Sequence, residues 1–255
     1  MINAVINGCG GKMGHVVARL ASQDSEINIT AGFDIADCKD FDFPVYTNYD
    51  NLKEKADVII DFSHPDCIDG LLSYCKKNKI PAVICTTGLS NRQKNELESA
   101  AEEIPVFFSA NMSLGINLII SLAKQAVKLL EDSFDIEIIE KHHNQKIDAP
   151  SGTALAIADA VSGEMKKQAE YVYDRHTQRI KRKPNEIGIH SVRGGTIVGE
   201  HSVIFAGNDE VIELKHSAAS KEVFAVGAIK AAKFLVGKKP GMYDMNDLIS
   251  SLELV

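Results

Sequence analysis

The segment Glu140-Lys141-His142-His143-Asn144-Gln145-Lys146-Ile147-Asp148-Ala149-Pro150-Ser151-Gly152-Thr153-Ala154 holds the densest reactive chemistry in the chain. A strand delivers two adjacent imidazoles and then the Lys146 ammonium, and Ser151-Gly152-Thr153 after Pro150 opens a helix. A helix start offers amides and hydroxyls to an anion. An imidazole titrates near neutrality, so it can give a proton to carbon or nitrogen while hydride arrives elsewhere. Lys146 would fix an acidic substrate and offset developing negative charge, and the helix start would hold a second carboxylate. Together these cations imply a small anionic substrate. Metal binding is the rival for paired histidines. Adjacent residues on a strand point to opposite faces, the nearest Cys is distant, and no H-E-x-x-H spacing occurs, so no metal site is expected. A purely structural role for one histidine is the remaining alternative.

A second constellation lies near the start. Gly8-Cys9-Gly10-Gly11-Lys12-Met13-Gly14 sits between an apolar run, Ala4-Val5-Ile6, and a helical pattern around Val16 to Leu20. The spacing of Gly8, Gly11 and Gly14 is a relative of the dinucleotide fingerprint, in which small residues let backbone amides approach a pyrophosphate. Asp34 ends the second apolar run, 20 residues after Gly14. An acid there accepts hydrogen bonds from ribose hydroxyls. Ile35-Ala36 follow it, with no base to neutralise a 2′-phosphate, so NADH is expected to serve at least as well as NADPH, unless Lys12 or Lys39 supplies the charge. Cys85-Thr86-Thr87-Gly88 and Ser109-Ala110-Asn111-Met112 follow further short apolar runs, where ligands of open α/β sheets sit.

The elements that must carry these groups change character along the chain. Up to about Ser113, short apolar runs alternate with helical patterns, which predicts parallel βαβ units in a doubly wound sheet. Ser90-Asn91-Arg92-Gln93 has the spacing of a capping box. Ile116 to Leu130 then reads as a long helix, Ile136 to Ile139 as a strand, and Ser151 as the start of another helix. The runs Ile187 to Val192, Ile197 to Phe205 and Val211 to Leu214 follow. Gly194-Gly195 and Gly207-Asn208-Asp209 between them predict antiparallel neighbours. Val223 to Leu235 is helical, with a short tail after it. The expected fold class is α/β: a Rossmann-like, doubly wound parallel sheet over residues 1–113, an α+β substrate and oligomerisation domain with a mixed sheet over 114–221, and a C-terminal helix and tail over 222–255.

Composition narrows the partners. The formal net charge of −7 argues against nucleic acid, because phosphate binding wants a basic balance. The densest basic stretch, Arg175 to Lys183, reads as a solvated face. No apolar run approaches a membrane span, so no membrane partner is expected. Five cysteines, an odd count without C-x-x-C, point to free thiols, a reducing compartment and the cytoplasm.

Taken together, these motifs resemble the 4-hydroxy-tetrahydrodipicolinate reductase (dihydrodipicolinate reductase) family over essentially the whole chain. The most specific stretch is His142-His143-x-x-Lys146-x-Asp148-Ala149-Pro150-Ser151-Gly152-Thr153-Ala154. Ser191-Val192-Arg193-Gly194-Gly195 and Val198-Gly199-Glu200-His201 are similar to later strands of that family. The resemblance implies NADH- or NADPH-dependent reduction of a small dicarboxylated cyclic imine in the diaminopimelate route to lysine. By the same resemblance, His142 is the general acid, His143 a substrate ligand, and Lys146 assists proton donation or binds carboxylate. Ser151, Gly152 and Thr153 take the other carboxylate. Gly8, Cys9, Gly10, Gly11, Lys12, Met13, Asp34, Cys85, Thr86, Thr87, Ser109, Ala110, Asn111 and Met112 match cofactor positions. A homotetramer built through the second domain's sheets is also implied, with the C-terminal helix returning to the cofactor domain. The chain departs from the pattern at Cys85, usually Gly, and at Met112, commonly Phe. A semialdehyde dehydrogenase would need a thiolate in the second domain, yet no Cys follows Cys85. A non-catalytic nucleotide sensor would not need His142, His143 and Lys146.

Overall fold

The apolar runs of the first third become strands buried on both faces. In chain order the elements begin β1 (Ile2–Asn7), α1 (Lys12–Ala21), β2 (Ile27–Phe33), β3 (Val45–Tyr46), β4 (Val58–Asp61), α2 (Ile68–Asn78), β5 (Ala82–Ile84), α3 (Asn91–Ala101) and β6 (Pro105–Phe108). They continue with α4 (Leu114–Leu130), β7 (Asp135–His142), α5 (Gly152–Ser162), β8 (Glu170–Val172), β9 (Glu186–Arg193), β10 (Gly199–Ala206) and β11 (Val211–Ala218). The last are α6 (Glu222–Leu235), β12 (Gly241–Tyr243) and α7 (Met245–Leu252). The computed structural model describes residues 1–36, 38–177 and 179–252. The chain divides into two compact units, one formed by residues up to Leu114 plus those from Glu222 onward, the other by Gly115–Lys221.

The first unit is a Rossmann-like parallel sheet in the order β12-β6-β5-β4-β1-β2-β3. Strand residues alternate between its two faces, as the pleat demands. Ala4, Ile6, Val58, Ile60, Val83 and Phe107 join one buried cluster with residues of α1 and α6. Val5, Ile59, Ala82, Ile84 and Val106 join a second cluster with α2 and α3. Ser90 caps α3 with the reciprocal Ser90–Gln93 bonds expected from its spacing. The expected short tail is instead β12 and α7, and β12 adds to the sheet beside β6. Three residues are too few for their alternation to register as a strand in sequence.

The second unit carries a mixed sheet ordered β11-β10-β7-β9-β8. β7 pairs parallel with β9 and antiparallel with β10, while β10 and β11 form an antiparallel hairpin. The expected pairing across Gly194-Gly195 is therefore corrected: β7 lies between β9 and β10, and the glycines cross over its end. One face packs Ile136, Ile138, Ile187, Ile189, Val203 and Phe205 against α4 and α5. The opposite face carries Ile139, Ile204, Val192 (44% exposed) and Val211 (65% exposed).

The Arg175–Lys183 stretch, in which Gln178 lies outside the described residues, is exposed at Arg175, Arg179, Lys181 and Lys183, and some of its cations are tied back to the sheet. Arg175 donates to Glu137 Oε1 at 2.8 Å and Glu186 Oε2 at 2.7 Å. Arg182 reaches Asp135 at 2.6 Å and the Ile136 carbonyl at 3.1 Å. Lys183 pairs with Glu170 at 2.9 Å. Acidic residues brought together by β7, β8 and β9 receive these cations, a partnership invisible in linear sequence.

Candidate functional site

In the first unit the chain enters the sheet at β1, runs outward through β2 and β3, then returns to β4 on the other side. Connections leaving the carboxyl ends of β1 and β4 therefore diverge and open a crevice. Gly8 turns there with φ +78°, and a Cβ on it would lie 2.7 Å from the Phe62 carbonyl oxygen. Only glycine fits that conformation and that approach. Gly11 precedes α1 with no side-chain cap, which leaves the first helical amides to an anion. Asp34 Oδ2 accepts the Gly10 amide at 2.9 Å and Oδ1 accepts that of Ala36 at 3.2 Å. Gly8, Gly10, Gly11, Asp34, Tyr49, Ser63 and His64 line a cleft of about 560 Å³. The glycine cradle, helix start and acidic strand end fit a dinucleotide's pyrophosphate and ribose.

Beneath the same sheet edge lies a buried polar network that sequence reading missed. Asp61, fully buried at the end of β4, accepts hydrogen bonds from Asn7 Nδ2 (2.7 Å), Ser63 Oγ (2.6 Å) and Thr86 Oγ1 (2.6 Å). The Ser63 amide adds a fourth at 3.2 Å, and Tyr49 donates to Asn7 Oδ1 at 3.1 Å. Burial pushes the Asp61 carboxyl up, against the pull of the hydrogen bonds from Ser63, Thr86 and Asn7. A charge closing the apolar run Val58-Ile59-Ile60 was the signal available in sequence. Asn7 Nδ2 and the Ser63 amide can only donate and both face Oδ1, so Asp61→Asn must keep its oxygen there and turn its NH₂ toward the Thr86 hydroxyl, losing the carboxylate's charge from every bond. We expect a loss of about 1–3 kcal/mol in unfolding free energy, read by urea denaturation. An unchanged midpoint would show that these donors do not need the carboxylate.

In the second unit, period two places Ile136, Ile138, Glu140 and His142 on one face of β7, so the core row ends in a carboxylate and an imidazole. His142 Nδ1 lies 2.6 Å from Glu140 Oε2. Arg193, opposite His142 in β9, grips both Glu140 oxygens at 2.8 and 2.7 Å. The Ser151 amide donates to Glu140 Oε1 at 3.1 Å. Burial alone would raise the Glu140 carboxyl, but hydrogen bonds from Arg193, Ser191, His142 and Ser151 outweigh it and hold it down to about 2. His201, opposite Glu140 in β10, sits 5.2 Å ring to ring from His142 and 3.1 Å from Ser151 Oγ. Burial, then the neighbouring His142, pushes His201 down to about 4, so it is neutral at pH 7.

Ser151 caps α5 by accepting the Ala154 amide at 3.1 Å. Lys146 Nζ meets Asp148 Oδ1 at 2.8 Å, and that hydrogen bond holds the Asp148 carboxyl below its usual range, helped by the Gly152 amide. The protein's own carboxylate thus satisfies two of the groups expected to hold an anion. His143 follows the end of β7 and is half-buried, outside the Glu140 cluster. Among the described residues no group of three His, Cys, Asp or Glu could hold a metal ion.

The expected residues separate by what their side chains can reach. Gly8, Gly10, Gly11 and Asp34 share the cleft. Thr86 and Thr87 follow β5, and Ser109 to Met112 follow β6, at the same carboxyl edge of the sheet. Cys9, Cys85 and Met112 point into the core, which leaves only their backbone for a ligand, and Met13 packs against that core. Lys12 and Ala110 are exposed, while Ser109 Oγ donates to the Asn111 carbonyl at 2.9 Å. Buried Glu140 and His201 and half-buried Arg193 form the heart of the second cluster, a role that their places in the sequence did not reveal.

A glycine turn and an acidic strand end at the switch point of a parallel sheet are the architecture of a nicotinamide-nucleotide-dependent oxidoreductase. Residues 2–112 match the family profile for the N-terminus of dihydrodipicolinate reductase, and residues 115–249 that for its C-terminus. The chain belongs to the dihydrodipicolinate reductase family. It is 59% identical over 249 residues to the 4-hydroxy-tetrahydrodipicolinate reductase of Caldanaerobacter subterraneus subsp. tengcongensis, covering 98% of each chain. It is 49% identical to that of Clostridium tetani, again over 98% of each. A dipicolinate-bound dihydrodipicolinate reductase from Paenisporosarcina sp. TG-14 is similar in structure, with a TM-score of 0.82 at 25% identity, over 96% of this chain and 99% of the other.

Proposed function

We propose that this chain reduces 4-hydroxy-tetrahydrodipicolinate, through dihydrodipicolinate, to tetrahydrodipicolinate in the diaminopimelate route to lysine, with NADH or NADPH. The observation that carries this reading is the cluster at the end of β7, where an imidazole lies beside a helix start shaped for a carboxylate. The Paenisporosarcina relative's dipicolinate is a planar dicarboxylate of the same class.

In this reading residues 1–113, with the C-terminal helix and tail over 222–255, form the cofactor domain, and residues 114–221 form the substrate domain. The bound nicotinamide supplies hydride, destined for C4 of the ring that remains after water is lost. The conjugated imine carries the electron pair toward nitrogen, and His142 gives up a proton. Gly152, Thr153 and Ser151 at the start of α5 hold one carboxylate. Lys146 and His143 hold the other, with Lys146 released from Asp148. Gly8 to Met13 cradle the pyrophosphate, and Asp34 takes the adenosine ribose. The backbone and hydroxyls of Cys85-Thr86-Thr87 and Ser109-Ala110-Asn111-Met112 edge the nicotinamide end.

The open sheet face, with Ile139, Ile204, Val192 and Val211, supplies an apolar surface for a homotetramer. None of the five cysteines is in a disulfide, and Cys9, Cys75 and Cys85 are buried, in keeping with the reducing cytoplasm. The activity is tested by following nucleotide oxidation with and without freshly generated cyclic substrate. Oxidation indifferent to the substrate refutes the reading.

Cofactor choice gives a separate expectation. Ile35 after Asp34 is 90% exposed and apolar, so a 2′-phosphate there meets a carboxylate without an adjacent base. The expected kcat/KM with NADH is at least equal to that with NADPH. A strong NADPH preference overturns this.

A further inference from the structure

We propose that Glu140 is a positioning residue: it fixes His142 through Nδ1, so that Nε2 is the nitrogen that gives up the proton, and it ties that imidazole to the amide of Ser151, the cap of α5. The proposal rests on the reading of His142 as proton donor.

The chain places a carboxylate where its own core pattern calls for a hydrocarbon. Glu140 continues the row Ile136, Ile138 and is fully buried. A lone charge there costs several kcal/mol, on the order of what drives such groups to neutralise. Here it is met by two Arg193 nitrogens, the Ser151 amide, His142 Nδ1 and the Ser191 hydroxyl. Arg193 also donates to the Asp148 carbonyl at 2.6 Å, so the same guanidinium anchors the loop before α5. One carboxylate therefore sets the imidazole plane and the helix start in a common frame.

The ionised carboxylate only accepts, so Nδ1 must carry hydrogen whether the imidazole is neutral or charged. Proton exchange is then confined to Nε2. A Cβ at residue 199 would come within 3.1 Å of Nε2, so Gly199 keeps that side of the ring open. The other charged or titratable groups around the ring are consistent with this. Arg193 already serves the carboxylate, and neutral His201 bonds Ser151 Oγ and leaves Glu140 to His142. Lys146 is engaged by Asp148.

Glu140→Gln tests the proposal. Either way the Gln amide nitrogen meets an Arg193 N–H and the Ser191 hydroxyl can adapt, so the orientation is decided by the remaining partner: Ser151 N–H, which can only donate, or His142 Nδ1, which can become an acceptor. It will face His142, and the neutral ring will then carry its hydrogen on Nε2. A neutral ring in that form cannot give up Nε2–H as a charged one can. We expect kcat to fall about 10- to 100-fold or more, with the substrate KM changed much less.

The readout is ¹⁵N NMR of the full chain labelled in histidine, with the His142 signals assigned by their loss in His142→Gln. Wild-type neutral His142 should carry its hydrogen on Nδ1, and in Glu140→Gln it should move to Nε2. If Glu140→Gln does not fold, the wild-type spectrum alone decides. Neutral wild-type His142 protonated on Nε2 overturns the proposal, as does a Glu140→Gln enzyme with wild-type kcat. Full turnover by His142→Gln would instead remove the proton-donor reading itself, which separates the two failures.

Discussion

Replacing His142 with Gln is expected to lower kcat by about 10²- to 10⁴-fold, the range for losing a positioned general acid. The amide fills much of the imidazole's volume and can still accept or donate at one position, but it cannot release a proton near neutral pH. His142 is buried at the end of β7, with Nδ1 committed to Glu140, so no rotation brings another titrating group to its place. His201, 5.2 Å away ring to ring, is held neutral at pH 7 by burial and His142. Stopped-flow and steady-state turnover with the cyclic substrate measure the loss, and nucleotide affinity provides the control. The cradle around Gly8 and Asp34 belongs to the first unit, so nucleotide binding should be retained. Turnover close to wild type would remove His142 from the proton path. Lys146→Ala, by contrast, should act chiefly on the substrate KM.

Arg193→Met should be the most destabilising single change at the second cluster. It leaves the buried Glu140 charge to the Ser151 N–H, the Ser191 hydroxyl and His142. Removing one partner of a buried ion pair costs about 3–5 kcal/mol. The pH dependence gives the claim a sign. Glu140 in the folded chain is held down to about 2, below the unfolded value of about 4.3. Its contribution is therefore complete above the unfolded value and is lost as pH falls toward about 2. In Arg193→Met the carboxyl protonates at higher pH, so the deficit relative to wild type should be greatest near neutral pH and shrink in acid. Urea unfolding of both proteins at neutral and acidic pH measures this. Equal stability at neutral pH, or a deficit that grows in acid, contradicts it.

The parts of this protein that can be read locally were legible in its sequence. The run Ala4-Val5-Ile6, the glycine turn and Asp34 obey rules that act within a few residues or across one βαβ unit, and the turn and Asp34 lie together in one cleft. The capping box at Ser90 and the helix start at Ser151 are equally local. The His142–Thr153 segment marked the second cluster because strand, loop and helix follow one another there. What the sequence left undetermined depends on pairing between distant segments. β7 inserts between β9 and β10, and that register sets Arg193 beside His142 and His201 opposite Glu140. Glu140 and Arg193 lie 53 positions apart, and neither residue alone signals that the other will neutralise it. For the same reason a motif position did not reveal side-chain direction: Cys9, Cys85 and Met112 turn into the core, while Asp61, at the end of an apolar strand, gathers donors from β1 and from the turns after β4 and β5. Local sequence set which groups were present and on which elements, because turn and helix preferences are short-range. Which buried charges meet was decided only when the sheets closed, because a carboxylate survives in a core only where the fold brings it enough donors.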